Sequence, residues 1–303
     1  MVFLPKRFVA LLLLSIAMLA TNSFGQKEED TVISVDSTTV VMNATIVDKN
    51  GSHVAGLKKE QFSIFEDGIQ QQIDFFQAEE TPFAAVILLD SSGSMEQRVS
   101  LARAAAIKFL DGLRPTDSAA IYRFDSKVNL VQDFSNSRDV TEKIFDVKSY
   151  GMTVLNDAVY KAAIELAKRP EKRRAIIVLS DGADTMSGRS ADAALKAALA
   201  ANAVIYTVDM TSPEASLKQK MESSSTLKKF AEKSGGTFVA TPGGVAMREA
   251  FEKIVAELGV QYTLGFSPSN LKQDGKWRAL EMRIARPNLS IRTRKGYNAA
   301  KVK

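Results

Sequence analysis

Cysteine is absent from the 303-residue chain. Disulfides, thiolate metal sites, cysteine nucleophiles and a lipid anchor carried on a cysteine are therefore excluded. Histidine is reduced to one residue, His53, which cannot build a histidine-rich zinc site; it stands beside a turn and reads as a surface residue. No G-x-S-x-G segment occurs, so the nucleophile elbow of serine hydrolases is missing. Charge of one sign is not in strong excess either. Forty Lys and Arg face 35 Asp and Glu, a net of +5, and Lys6 and Arg7 at the N-terminus supply two of those charges. That balance is too weak and too dispersed for nucleic-acid binding. The densest basic stretch, Arg292, Arg294, Lys295, Lys301 and Lys303, reads as a solvated tail. What remains is ordinary globular material, 45% hydrophobic and 25% charged, which argues against wholesale disorder.

The N-terminus is patterned. Lys6 and Arg7 precede an apolar run from Phe8 to Leu14 that continues through Ile16 to Ala20, and Thr21-Asn22-Ser23-Phe24-Gly25 follows. This is the charged, apolar and small-residue order of a secretory signal, with cleavage expected after Gly25. The run is short of the roughly 20 residues of a membrane span. Residues 1–25 are accordingly set aside as a leader, with no integral span expected after its removal. The mature chain is expected to be exported, periplasmic or secreted, or tethered by the leader where cleavage fails.

Beyond a charged lead over 26–31, the texture divides in three. Residues 26–81 read as a small β module. Val40, Met42, Ala44 and Ile46 alternate with Val41, Asn43, Thr45 and Val47, the pattern of a half-buried strand. Asp48-Lys49-Asn50-Gly51 and Glu66-Asp67-Gly68 are turns, Leu57–Phe62 holds a helical turn, and Phe62–Phe65 and Ile69–Phe76 are strands. Residues 82–258 change character. Ala84–Leu89 and Ala175–Leu179 are continuous apolar runs, the mark of parallel strands buried on both faces. Further strands are expected at Ala119–Phe124, Val128–Phe134, Val204–Val208 and Thr237–Ala240. They alternate with helices at Glu96–Leu113, Ser137–Val147, Leu155–Leu166, Ala191–Ala201, Ser225–Ser234 and Val245–Leu258. Such alternation predicts a doubly wound α/β domain with a mostly parallel sheet. In residues 259–303 the β texture returns at Tyr262–Phe266, Trp277–Ala285 and Leu289–Lys295. A segment this short buries little on its own. It is therefore expected to pair with residues 26–81, so that the α/β domain is inserted in one small β-sandwich made by the N- and C-terminal segments.

Open α/β sheets place ligands beyond the carboxyl ends of their strands. The first buried strand ends in Asp90-Ser91-Ser92-Gly93-Ser94, and the later one in Ser180-Asp181-Gly182. Between them Gly151-Met152-Thr153 opens a helix. Taken singly, Ser92, Ser94 and Thr153 have another reading as helix N-caps, and Asp181-Gly182 as a strand-end turn. Taken together, three loops bring oxygen side chains to one sheet edge. All the candidate donors are oxygens, which suits Mg²⁺, with Mn²⁺ or Ca²⁺ as the other choices, over zinc or copper. Asp90 and Asp181 supply negative charge, directly or through water, and the hydroxyls are neutral. A cation held this way stays under-neutralised and accepts an acidic group from outside. Asp184 and Thr185 read as surface polarity near this edge, and Asp157 as a loop support or cap.

D-x-S-x-S after the first strand, Met95 behind it, a downstream threonine and an aspartate at a later strand end resemble the metal-ion-dependent adhesion site of von Willebrand factor A domains. The resemblance covers roughly residues 82–258. It implies direct metal binding by Ser92, Ser94 and Thr153, with Asp90 and Asp181 acting through water. The flanking β segments resemble those of bacterial proteins related to this family, where stretches like Asp67-Gly68 and Arg294-Lys295-Gly296-Tyr297 recur. The expectation is a non-enzymatic binding protein of the cell envelope that captures an Asp or Glu of a partner protein through the cation. A scaffolding envelope protein with a non-adhesive metal site is the alternative. A metal-assisted hydrolase lacks a histidine base near the site and enough carboxylates for two metals.

Overall fold

The computed structural model describes residues 39–78, 81–137, 151–212, 214–240 and 244–301. The leader, and all of the helix expected over Ser137–Val147 except Ser137, lie outside the described residues.

The central sheet has six strands in the order β10-β9-β8-β5-β6-β7. They are β5 (Phe83–Asp90), β6 (Ser118–Phe124), β7 (Val128–Ser135), β8 (Arg173–Ser180), β9 (Ala203–Asp209) and β10 (Phe238–Val239). Only β7 runs antiparallel, against β6. The continuous apolar run of β5 is buried at every position, and the two-residue period of a strand divides it between two cores. Phe83, Ala85, Ile87 and Leu89 pack under α1 (Val99–Asp111) and α5 (Gly244–Val260). Ala84, Val86 and Leu88 pack under α2 (Leu155–Ala167), α3 (Ala191–Ala200) and α4 (Leu217–Ser234). Helices on both faces make the domain doubly wound and mostly parallel, as the alternation predicts. Alanines at the contact faces, Ala102, Ala105 and Ala106 on α1 and Ala158, Ala162 and Ala163 on α2, are buried against the sheet. No helix of the described residues is long and apolar enough to cross a membrane.

Two four-stranded antiparallel sheets build the β-sandwich, ordered β13-β1-β11-β4 and β14-β12-β2-β3. From the N-terminal segment come β1 (Val40–Asp48), β2 (Phe62–Glu66), β3 (Ile69–Gln71) and β4 (Ile73–Gln77). From the C-terminal segment come β11 (Tyr262–Phe266), β12 (Trp277–Ile284), β13 (Leu289–Thr293) and β14 (Gly296–Asn298). Strand β1 lies between β11 and β13, and β12 pairs with β2. Met42, Ala44 and Ile46 share their core with Phe62, Ile64, Tyr262, Leu264 and Phe266. The sandwich is thus closed by both ends of the chain, with the α/β domain inserted between them.

Several sequence expectations shift. The strand read over Ile69–Phe76 breaks at Gln72: β3 pairs with β2 in one sheet and β4 with β11 in the other. Such a bend carries a strand round the corner of a sandwich. Strand β1 is not half-buried. Asn43 and Thr45, on its polar face, are 6% and 2% exposed, because that face meets the α/β domain. Thr45 Oγ1 donates to Glu257 Oε1 of α5 at 2.9 Å, and Asn43 Oδ1 accepts from Thr263 Oγ1 at 2.9 Å. The solvated basic tail is overturned for two of its residues. Arg292 forms an ion pair with Glu257. Arg294 is 6% exposed and donates to Leu199 O and Asn202 Oδ1. Helix α1 starts at Val99, after a 3₁₀ turn over Gly93–Met95, and α4 starts at Leu217, eight residues before the apolar periodicity that predicts it.

Candidate metal centre

Parallel pairing aligns the strand ends. Leu89 of β5 stands beside Leu179 of β8, and Ser180 of β8 beside Asp209 of β9. The loops that follow open on one cleft of about 810 Å³, lined among others by Ser92, Ser94, Thr153, Asp181 and Thr211.

Asp90 is the floor. Its side chain is fully buried. Oδ1 accepts from Ser92 N at 2.9 Å and Ser92 Oγ at 2.6 Å, and Oδ2 accepts from Ser180 Oγ at 2.5 Å. Burial pushes this carboxyl up to about 7, and the charge of Asp181 adds to the shift, while the bonds from Ser180 and Ser92 oppose it. Because Ser92 Oγ gives its proton to Asp90, its lone pairs remain for other partners; Ser94 Oγ lies 3.1 Å from it. The residue between, Ser91, turns away and is fixed to Phe124 O through both its N–H and its hydroxyl.

Thr153 is 3% exposed and is set by its backbone. Its N–H donates to Thr185 Oγ1 at 2.9 Å, and its carbonyl accepts from the N–H groups of Thr185 and Met186 at 3.0 and 3.1 Å. Gly151 lies two residues before it at φ +71°, a conformation that favours glycine, and a Cβ there would stand 2.5 Å from Ser126 Oγ, which would have to move. Gly93 N donates to Gly151 O, tying the first loop to the second. The third loop carries Asp181, whose Oδ1 accepts from Ala183 N at 3.1 Å. Asp184 Oδ2 accepts from Asn156 N at the start of α2 and from Ser187 Oγ. Asp184 and Thr185 are therefore braces between loops and not merely surface polarity. Asp157 supports the same loop through Gly188 N and Arg189 N.

The capping alternatives do not account for the motif residues. The N-cap of α1 is Arg98 and that of α2 is Val154, neither with a side-chain cap bond, and Ser92 makes no side-chain cap bond to the 3₁₀ turn. A fourth wall was not anticipated. Asp209-Met210-Thr211 at the end of β9 repeats the Asp90 turn: Thr211 N and Oγ1 both donate to Asp209 Oδ1, at 2.9 and 2.5 Å. The sequence signal was available, since Asp209 closes a buried apolar run as Asp90 does. Arg98 holds this wall to the first loop through Met210 O and Thr211 O, both at 3.1 Å.

The donor set fits a hard divalent cation. Among the described residues no Lys or Arg forms an ion pair with Asp90 or Asp181, so a buried carboxylate stands without a positive partner, a costly arrangement unless a cation joins it. No group of three His, Cys, Asp or Glu gathers among the described residues. Two carboxylates with Ser92, Ser94 and Thr153 suit a cation that keeps part of its water.

Residues 85–183 match the family model described as von Willebrand factor type A domain. No curated protein matches the chain. Among solved structures, the chain is similar to the D319A mutant of the PilB minor pilin from Streptococcus sanguinis. The identity is 12%, covering 60% of this chain and 62% of that one, less than two thirds of its length, with a TM-score of 0.46. It is also similar to a von Willebrand factor type A protein from Catenulispora acidiphila, at 14% identity over 89% of this chain and 75% of that one, TM-score 0.49. A third likeness is to the vWF domain of the type V pili tip protein Mfa5 from Porphyromonas gingivalis, at 13% identity, 59% and 95% coverage, and TM-score 0.49.

Proposed function

We propose, from the match of residues 85–183 to the von Willebrand factor type A domain model and the geometry of the cleft, that this chain is an exported, non-enzymatic binding protein that captures a partner protein through a divalent cation, Mg²⁺ in the first place. Ser92, Ser94 and Thr153 hold the cation, with Asp90 and Asp181 behind them. The observation that carries this reading is the buried Asp90 carboxylate, close to Asp181 and under two hydroxyls, with no positive side chain paired to it among the described residues.

The chain's own residues do the following. Asp90 takes the proton of the Ser92 hydroxyl in a hydrogen bond and so turns that oxygen's lone pairs to the cleft. Thr185 and Met186 fix the Thr153 backbone, and Gly151 lets that loop approach Ser126. When bound, the cation supplies an electropositive point that a partner's Asp or Glu carboxylate neutralises. Against an enzyme stands the placement of His53, which bridges to Val47 in the β-sandwich and is exposed. Export rests on the leader pattern of residues 1–25.

Isothermal titration of the purified chain with Mg²⁺ and Mn²⁺, beside Asp90→Asn and Thr153→Ala, tests the reading. Binding by the wild type that both variants lose, with their melting curves intact, supports it. Absence of binding by the wild type sinks metal-bridged capture and leaves the scaffolding role.

A further inference from the structure

The seam between the β-sandwich and the α/β domain holds a buried cation that the metal centre does not use. Arg294 follows β13 and is 6% exposed. The chain around it is closely held: Lys295 N donates to Lys233 O, and a Cβ on Gly235, after α4, would stand 2.7 Å from Arg294 N. A guanidinium carries five N–H donors. The two on Nη1 go to Leu199 O at 3.1 Å and Asn202 Oδ1 at 3.0 Å. Among the described residues neither Nε nor Nη2 has an acceptor, so three of the five donors are unmatched.

The charge is no better matched. Among the described residues no Asp or Glu pairs with Arg294. The Tyr297 ring lies 5.7 Å from the guanidinium carbon, near the outer limit of a cation–π contact. Leu199 O belongs to the carbonyl end of α3, which carries about half a negative charge. Arg174 Nη1 draws on that same end through Ala201 O at 2.9 Å, so two cations share it. Burial pushes Arg294 down to about 10. A buried charge so placed is costly unless an opposite charge joins it.

Arg294 lines a cavity of about 10 Å³, which has room for about one water-sized sphere. Asn43 of β1 lines it from the sandwich, and Leu199, Ala203 and Val204 line it from the α/β domain. Asn43 Oδ1 is taken by Thr263 Oγ1, which leaves Nδ2 without an acceptor among the described residues. The Ser234 hydroxyl, another polar group of the wall, is occupied by Phe230 O and Ile205 N. The free polar groups are thus donors, and one of them is charged.

We propose that this cavity binds one monatomic, monovalent anion of the halide class, chloride or bromide, held between the Arg294 guanidinium and the Asn43 amide. The small volume excludes sulfate, phosphate and carboxylates. Few donors and apolar remaining walls suit a halide better than an oxyanion, and a water would meet the donors but leave the charge unmatched. The site is independent of the divalent cation, since none of its lining residues lines the metal cleft. With β1 on one side and the turn from α3 to β9 on the other, the anion ties the sandwich to the α/β domain.

The test is thermal melting of the full chain, with EDTA present, in sodium chloride, bromide, gluconate and sulfate at equal ionic strength. Chloride and bromide are expected to raise Tm over gluconate by about 2–3 °C at ten times Kd, with saturation. General exclusion of salt from the surface favours sulfate instead. Arg294→Gln should lose the chloride response. Asn43→Asp keeps the acceptor for Thr263 and adds a carboxylate to the cavity wall. It should raise Tm in gluconate toward the wild-type value in chloride and lose the response. Equal wild-type Tm in chloride and gluconate, or a rise larger in sulfate than in chloride, overturns the proposal and leaves the cavity to water. A chloride response that Asn43→Asp retains in full places the ion elsewhere and also overturns it. Where Arg294→Gln does not fold, Asn43→Asp decides alone.

Discussion

Arg173 is the residue on which the two folding modules most visibly depend. It opens β8 and is fully buried. Its guanidinium donates to Ala78 O at 2.8 Å, to Thr263 Oγ1 at 3.0 Å, and at 3.4 and 3.5 Å to Gly259 O and Leu258 O. One side chain thereby joins the strand leaving the β-sandwich, the carbonyl end of α5 and the strand that re-enters the sandwich. Arg173→Met keeps the aliphatic stem and removes every donor. The two short bonds are charge-assisted, worth about 1.5–3 kcal/mol each, and the two long ones are weak by geometry. Relief of the buried cation's desolvation returns part of this. The expected loss is about 3–4 kcal/mol, which for a protein of this size is roughly 5–7 °C in Tm. The assay uses two probes in one melt. Trp277, the single tryptophan, lies in β12 with its ring over Gly296 and reports the sandwich; far-ultraviolet circular dichroism reports the helices. In the wild type both transitions coincide. In Arg173→Met they move apart, because the tie between modules is cut. Coincident transitions shifted by less than about 1 kcal/mol refute the reasoning.

Other perturbations have equally definite outcomes. Saturating Mg²⁺ at about 100 times its Kd raises stability by about 2.7 kcal/mol, visible as a higher Tm that EDTA reverses and Thr153→Ala abolishes; an unchanged Tm contradicts binding to the native state. Gly151→Ala, forced to φ +71° with its Cβ against Ser126 Oγ, costs about 1–2 kcal/mol locally and weakens Mg²⁺ binding more than it lowers Tm; wild-type titration curves would argue that the loop relaxes freely. Gly296→Ala places a Cβ 2.3 Å from the Trp277 ring and 2.4 Å from Arg278 O, so tryptophan emission shifts and the sandwich loses stability; an unchanged emission spectrum counts against that contact. Glu66 is buried, and burial, with Asp67 adding, raises its carboxyl above 4.5 despite the Tyr297 and Arg278 contacts. A raised folded value means that its stabilising contribution is complete below pH 4.5 and is lost as the pH climbs through the raised value. The Tm of Glu66→Gln minus that of the wild type should therefore grow with pH over that range, and a flat difference would refute it.

The central sheet was the most legible part of the chain because strands buried on both faces leave no alternation to misread: Ala84–Leu89 and Ala175–Leu179 could be little else. The sandwich pairing was legible from size alone, since residues 259–303 cannot fold without a partner surface. What misled was polarity at the interface between modules. Asn43 and Thr45 alternate with apolar residues as solvent-facing side chains do, and Arg292 and Arg294 stand in a basic run that reads as a tail. All four meet groups distant in sequence, Asn43 and Thr45 the side chains of Thr263 and Glu257, Arg292 that of Glu257, and Arg294 Leu199 O and Asn202 Oδ1. A polar residue facing water and one facing a distant hydrogen-bond partner have the same sequence signature.

The candidate site shows the same division between local and distant information. Asp90, Ser92, Ser94, Thr153 and Asp181 could be assembled from strand ends because each sits beside an apolar run that marks its own position. The braces could not. Thr185 reaches the site through the backbone of Thr153, Asp184 through Asn156 N, and Arg98 through the carbonyls of Met210 and Thr211. Each reaches across a gap that no local spacing encodes. The consequence is mechanical: Asp90, Ser92 and Ser94 are linked by their own oxygens within the first loop, whereas Thr153 is held in place by bonds between loops to its backbone. Thr185→Val tests this step. It removes the acceptor for Thr153 N while keeping the shape and leaving every donor oxygen in place. Mg²⁺ affinity should fall about tenfold, the lower end of the effect of removing an outer support, with Tm lowered by no more than about 1 kcal/mol equivalent. Unchanged affinity would mean that the donors position themselves.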